Sequence, residues 1–114
     1  MKKRNAKVVS RIVDELTNHY LDREASKIEV TVENLEDHFL MGFKVYDIDY
    51  TDKEIEEMSS ILNTPRDRSV EAYYWTLMGQ SSDEEKLNLI GIMVDNADIY
   101  YTGCCLSLNV YRFK

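Results

Sequence analysis

Asp14 and Asn18 stand four residues apart in the stretch "VDELTNHYLD", residues 13–22. On a helix their side chains stack one turn apart on the same face. A carboxylate above an amide at this spacing is chemistry for holding a hard metal ion or a water, since both offer oxygen ligands. The plain alternative is a solvated polar face, shared with Lys7 and Arg11. Asp47 is a second candidate. It follows Phe43 and Val45 in an alternating run, so parity turns it toward the covered side of a sheet. A carboxylate there caps a helix, pairs, or binds a ligand, because burying it bare is costly. Asn88 is a third. It shares a narrow seam with Glu84, Gly91 and Asp95 on a segment otherwise apolar all round, and that seam serves either close packing or the wall of a pocket.

Other chemistries find no support. His19 and His38 have no histidine or cysteine partner at metal-ligand spacing, and His38 reads as an exposed turn residue. No Gly-x-Ser-x-Gly elbow or glycine-rich phosphate loop occurs. The only cysteines, Cys104 and Cys105, are neighbours, so neither a disulfide framework nor a zinc site is available. Two unbridged thiols fit a reducing cytoplasm.

These residues need elements to position them. Val9, Ile12, Val13, Leu16 and Tyr20 form a stripe at helical spacing and predict an amphipathic helix over 6–23. "KIEVTVEN" and "HFLMGFKVYD" then alternate, and the short link between them predicts an antiparallel hairpin over 27–47 with one buried face. Thr51 with Glu54 is a capping box opening a helix whose apolar side is Ile55, Met58 and Leu62. After Pro65, "RSVEAYYWTLMG" reads as helical, and Ser82 with Glu85 caps a further helix running to about Asn96. "IYYTGCCLSLNVYRFK" predicts a second hairpin over 99–113, turning at Thr102-Gly103. The expected fold is a two-layer α/β sandwich in one domain spanning 1–114, its four-stranded, mostly antiparallel sheet covered by helices on one face.

Composition narrows the function. The chain has 114 residues, 44% hydrophobic and 31% charged, and no apolar run approaches the roughly 20 residues of a membrane span. The charged residues that interrupt the first apolar run argue against a secretory signal. Residues 1–27 carry seven basic and four acidic side chains, a balance of +3. The rest carry seven and seventeen, a balance of −10, giving the net −7. An acidic body argues against a nucleic-acid partner, which needs a basic surface to displace counterions.

In this order the pieces resemble the histidine kinase-like ATPase (GHKL) fold shared by gyrase, sensor histidine kinases and the anti-sigma serine kinases. "VDELTNHYLDREASKIEVTV" is similar to that family's N-box helix and following strand. The resemblance implies that Asn18 holds the magnesium ion bridging ATP phosphates, with Asp14 in the acidic, catalytic position. "FKVYDID" resembles the strand ending in the aspartate that reads adenine, which implies that role for Asp47, with Asn18 and Asp47 facing one cavity. "LNLIGIMVDNADIYYTGCCLSLNVYR" is similar to the last helix and strand pair, and places Asn88 beside the nucleotide. The family's Asp-x-Gly-x-Gly reads Asp47-Ile48-Asp49-Tyr50-Thr51, without either glycine. Its glycine-rich lid is replaced by "GQSSDEEKLNL". Backbone must approach phosphate closely at such sites, so the expectation is a signalling domain of kinase-like ATPase type with weak or no ATP and magnesium binding. The alternative is an interaction module that keeps the fold and binds a protein partner, with Tyr73, Tyr74 and Trp75 as anchors. A homodimer is compatible with either.

Overall fold

The structure is a computed structural model that describes residues 2–64, 87 and 90–114. Its elements are α1 (Lys2–Asp22), β1 (Lys27–Asn34), β2 (His38–Tyr46), α2 (Asp52–Leu62), β3 (Asn96–Thr102) and β4 (Cys105–Phe113), with residues 90–93 helical before β3. The strands form one open antiparallel sheet in the order β1-β2-β4-β3. Both expected hairpins are present and share one layer. Tyr73, Tyr74, Trp75, Asn88 and the acidic residues 83–85 lie outside the described residues.

One face of the sheet is the core. Phe39, Met41, Phe43 and Val45 of β2 sit opposite Arg112, Val110, Leu108 and Leu106 of β4, and all are buried. From α1, Val8, Val9, Ile12, Leu16 and Tyr20 press onto this face; Met58 and Leu62 of α2, with Ile90, Met93 and Val94, complete it. The opposite face presents Glu29, Lys44, Ser107 and Asn109, and is open among the described residues. Arg112 is a buried cation on the core face. Its guanidinium donates to Met93 O at 2.7 Å and Asn5 Oδ1 at 3.0 Å, tying β4 to the end of helix 90–93 and to α1.

The ends of the elements depart from expectation where tertiary bonds override local signals. β3 begins at Asn96, whereas the sequence carries the preceding helix to that residue. Asp95 N donates to Tyr111 O at 2.8 Å and its carboxylate accepts from Phe113 N at 2.6 Å, so β4 pulls the chain into the sheet early. The β3–β4 turn is Gly103-Cys104, both with positive φ as a two-residue primed turn requires. His38 is not a bare turn residue. It opens β2, half-buried against the rings of Tyr111 and Phe113, and its Nδ1 meets Asp37 at 2.6 Å.

Candidate functional site

Helix α1 ends without a glycine. Glu24 takes the left-handed conformation at φ 67°, its N–H donates to Leu21 O at 2.9 Å, and Ala25 N donates to Tyr20 O at 3.2 Å. This is the paired bonding of a Schellman cap. The cap leaves Arg23 pointing across to the segment that follows β2.

That segment, residues 47–51, is held bond by bond. Asp47 has φ 58°, which breaks the strand alternation. Its side chain is therefore exposed, not turned to the helix-covered side as parity predicts, and accepts from Ser26 Oγ. Ile48 fills the buried position instead. Ile48 N donates to Cys104 O at 3.0 Å, and Ile48 O accepts from Tyr101 Oη at 2.9 Å. Tyr101 Oη also accepts from Tyr50 N at 3.1 Å. The expected capping box opens α2: Thr51 N donates to Glu54 Oε1 at 2.9 Å and Glu54 N to Thr51 Oγ1 at 3.1 Å.

Between α1 and α2 lies a cavity of about 370 Å³ lined by His19, Arg23, Tyr50, Glu54, Glu57, Met58, Ile61 and Leu87. That is within the size range of small-molecule pockets. The Arg23 guanidinium stacks 4.2 Å from the Tyr50 ring centroid, reaches Glu54 at 3.1 Å and donates to Asp49 O at 2.7 Å. The Tyr50 hydroxyl meets His19 Nε2 at 3.2 Å, and its ring stands edge-on to Tyr101. Burial pushes the Tyr50 phenol well above its ordinary pKa, against the lowering influence of Arg23, so it is a neutral donor at any physiological pH. Glu54 is held below the usual carboxylate range by its bond from Thr51 N, with Arg23 adding to the effect. The cavity therefore joins an apolar wall to an ionised carboxylate and an arginine already engaged.

Of the residues singled out in the sequence, none of Asp14, Asn18 and Asp47 lines this cavity. Asp47 lines a neighbouring depression of about 380 Å³ with Arg23, Glu24 and Asp49. Asp14 lines a different, shallow one with Ala6, Lys7, Ser10 and Arg11. Asn18 is exposed and lines none of the three, and Asn88 lies outside the described residues. On α1 it is His19, one residue after Asn18, that faces the cavity, with Glu15 buried one turn earlier beside Arg11 at 3.5 Å. Sequence reading missed His19 because an isolated histidine without a metal-ligand partner carries no motif. Arg23 was missed because its role depends on a helix cap that has no glycine to announce it.

One thiol reaches the segment that follows β2. Cys104 is exposed, its Sγ lies 3.4 Å from Asp49 Oδ1, and that carboxylate pushes the thiol pKa up, away from the reactive thiolate. Comparison with family models, with curated proteins and with solved structures gives no match. Among the described residues no helix is long and apolar enough to cross a membrane.

Proposed function

We propose that the chain is a signalling domain of the histidine kinase-like ATPase fold whose nucleotide site has degenerated, so that it works through a protein partner rather than through ATP turnover. The element order supports the fold half of this reading: a helix, a hairpin whose second strand leads into Asp47, a capped helix, and a closing helix and hairpin. The cavity between α1 and α2 lies beside the Asp47 segment, where the resemblance places the nucleotide.

One observation carries the degenerate half. Within Asp47-Ile48-Asp49-Tyr50-Thr51, three backbone N–H groups of the kind a glycine loop leaves free for phosphate are bonded within the protein. Ile48 N is bonded to Cys104, Tyr50 N to Tyr101, and Thr51 N and Glu54 N to the capping box. A charge-assisted bond to phosphate contributes roughly 1.5–3 kcal/mol, so the loss of two takes about 3–6 kcal/mol from binding. At about 1.4 kcal/mol per tenfold, a micromolar site weakens about two to four decades, to roughly 0.1–20 mM. Glu54 and Glu57 add like-charge repulsion toward a triphosphate.

Magnesium fits poorly as well. Asp14 shares its depression with Lys7 and Arg11, whose positive charges oppose a divalent cation, and Asn18 is an exposed amide one turn away. Among the described residues no group of three histidine, cysteine, aspartate or glutamate side chains is placed to hold a metal. What the cavity retains is room for an apolar or aromatic group against Met58, Ile61 and Leu87.

Calorimetric titration with ATP and magnesium, ADP and adenosine tests the proposal. The expected result is no micromolar isotherm for any of them, with ATP no tighter than adenosine. A micromolar, magnesium-dependent ATP isotherm abolished in both Asn18→Ala and Asp47→Ala would restore an active nucleotide site and sink the reading.

A further inference from the structure

Among the described residues no strand lies beside the outer edge of β1, and the strand is exposed at every residue except the half-buried Ile28. Its backbone polarity follows from the ladder. Leu35 N donates to His38 O, which continues the β1–β2 register and makes Lys27, Glu29, Thr31 and Glu33 the residues bonded toward β2. On the far side of β2 the bond from Lys114 N to Asp37 O sets the complementary parity. The N–H and C=O groups of Ile28, Val30 and Val32 therefore point out of the sheet edge. The same residues carry the apolar side chains, and Val30 and Val32 are 38% and 50% exposed although they lie on the helix-covered face. An extended, apolar edge of this kind templates another strand unless something blocks it.

The geometry points to a second copy of this chain as the occupant, β1 pairing antiparallel with β1 across a two-fold axis at Val30. Charge selects this register. Centred on Val30, Ile28 faces Val32 of the partner copy on one side of the sheet. On the other side Lys27 faces the partner's Glu33, and Glu29 faces the partner's Thr31. Every outward N–H and C=O of Ile28, Val30 and Val32 then finds its mate. A shift of the axis to Thr31 sets Glu29 against the partner's Glu33, and a shift to Glu29 sets that carboxylate against itself; like charges directly opposite are destabilising. A slip by one residue in the pairing would put apolar side chains on the solvated face. The product is one continuous eight-stranded sheet with a closed, isologous interface. A single strand edge falls short of the roughly 1,200–2,000 Å² buried in stable complexes, so the dimer is weak and concentration-dependent.

Sedimentation velocity from about 10 µM to about 1 mM, where binding of roughly −4 kcal/mol becomes visible, tests this pairing in the full chain. The wild type should shift from monomer toward dimer across that range. Lys27→Glu and Glu33→Lys should each weaken association at least tenfold by setting like charges opposite, and the double swap should restore it. Val30→Lys, which places two charges on the axis, should abolish it. The altered side chains are exposed, so circular dichroism and melting temperature serve as folding controls for each variant. A wild type that stays monomeric to the top of the range overturns the proposal. So does a dimer that ignores the single variants, or a double swap that fails to rescue. None of these readouts involves nucleotide, so the result is separate from the titration above.

Discussion

Glu24 closes α1 in a conformation that costs an L-residue roughly 1–2 kcal/mol. Glycine at that position removes the strain but adds unfolded-state entropy of about 0.4–1 kcal/mol, so the strain term wins by a small margin. Glu24→Gly is therefore expected to stabilise the protein by about 0.5–1 kcal/mol, read as an upward shift of the urea midpoint. Glu24→Ala keeps the strained geometry and should leave the midpoint near the wild type. If the two variants move together, the left-handed cap is not what sets the energy. The same conformation at Asp47 explains why strand parity misplaces that residue: a single positive φ rotates the side chain out to Ser26 and hands the buried position to Ile48.

Between elements, the tightest approach is at Gly91. A Cβ there would fall on the carbonyl oxygen of Ile61 and lie 2.9 Å from its Cγ2. That carbonyl belongs to the last turn of α2 and accepts the Thr64 N–H at 3.4 Å, so it has little freedom to move. Alanine would gain about 1 kcal/mol of helix propensity, against overpacking of about 1–3 kcal/mol. With backbone as the obstacle, the cost sits at the upper end of that range. Gly91→Ala should lower unfolding stability by about 1–2 kcal/mol in urea titration, and equal or greater stability would contradict the helix contact. Of the described seam residues, Gly91 thus packs helix against helix, while Asp95 bonds to β4. Signals confined to one element were legible in advance: the Thr51–Glu54 box, the alternation of β2 and β4, and the stripe of α1 each need only their own residues. Signals that depend on a partner were not. The early start of β3 comes from Tyr111 and Phe113, the burial of Tyr50 from Arg23 and Tyr101, and the cavity from a helix end joined to a strand end.

Across the whole molecule, charge and hydrogen bonding set a window of stability with two edges. On the acid side, Glu29 is held down by the Tyr46 hydroxyl, Asp37 by His38, and Glu54 by Thr51 N together with Arg23. Their folded pKa values lie below the ordinary 4.5 and 3.8. Their contribution is therefore complete above those ordinary values and is lost as pH falls through the folded ones. All three are exposed, so each effect is small. Net charge decides the shape of the curve: between pH 7 and the pI near 4.8 the excess of −7 is neutralised, and relief of self-repulsion offsets the first protonations. Below that pH the 14 lysines and arginines dominate and both effects destabilise. On the alkaline side, burial raises the phenols of Tyr20 and Tyr50 above 10.0, so their contribution is full below 10 and is lost as pH rises toward their folded values. Thermal melts followed by circular dichroism should show a plateau from about pH 5 to 9, a fall below about pH 4 and another above about pH 10. Tyr50→Phe should soften the alkaline edge and leave the acid edge in place. A melting temperature as high at pH 3 as at pH 7 would mean that the Glu29, Asp37 and Glu54 bonds contribute nothing to the folded state.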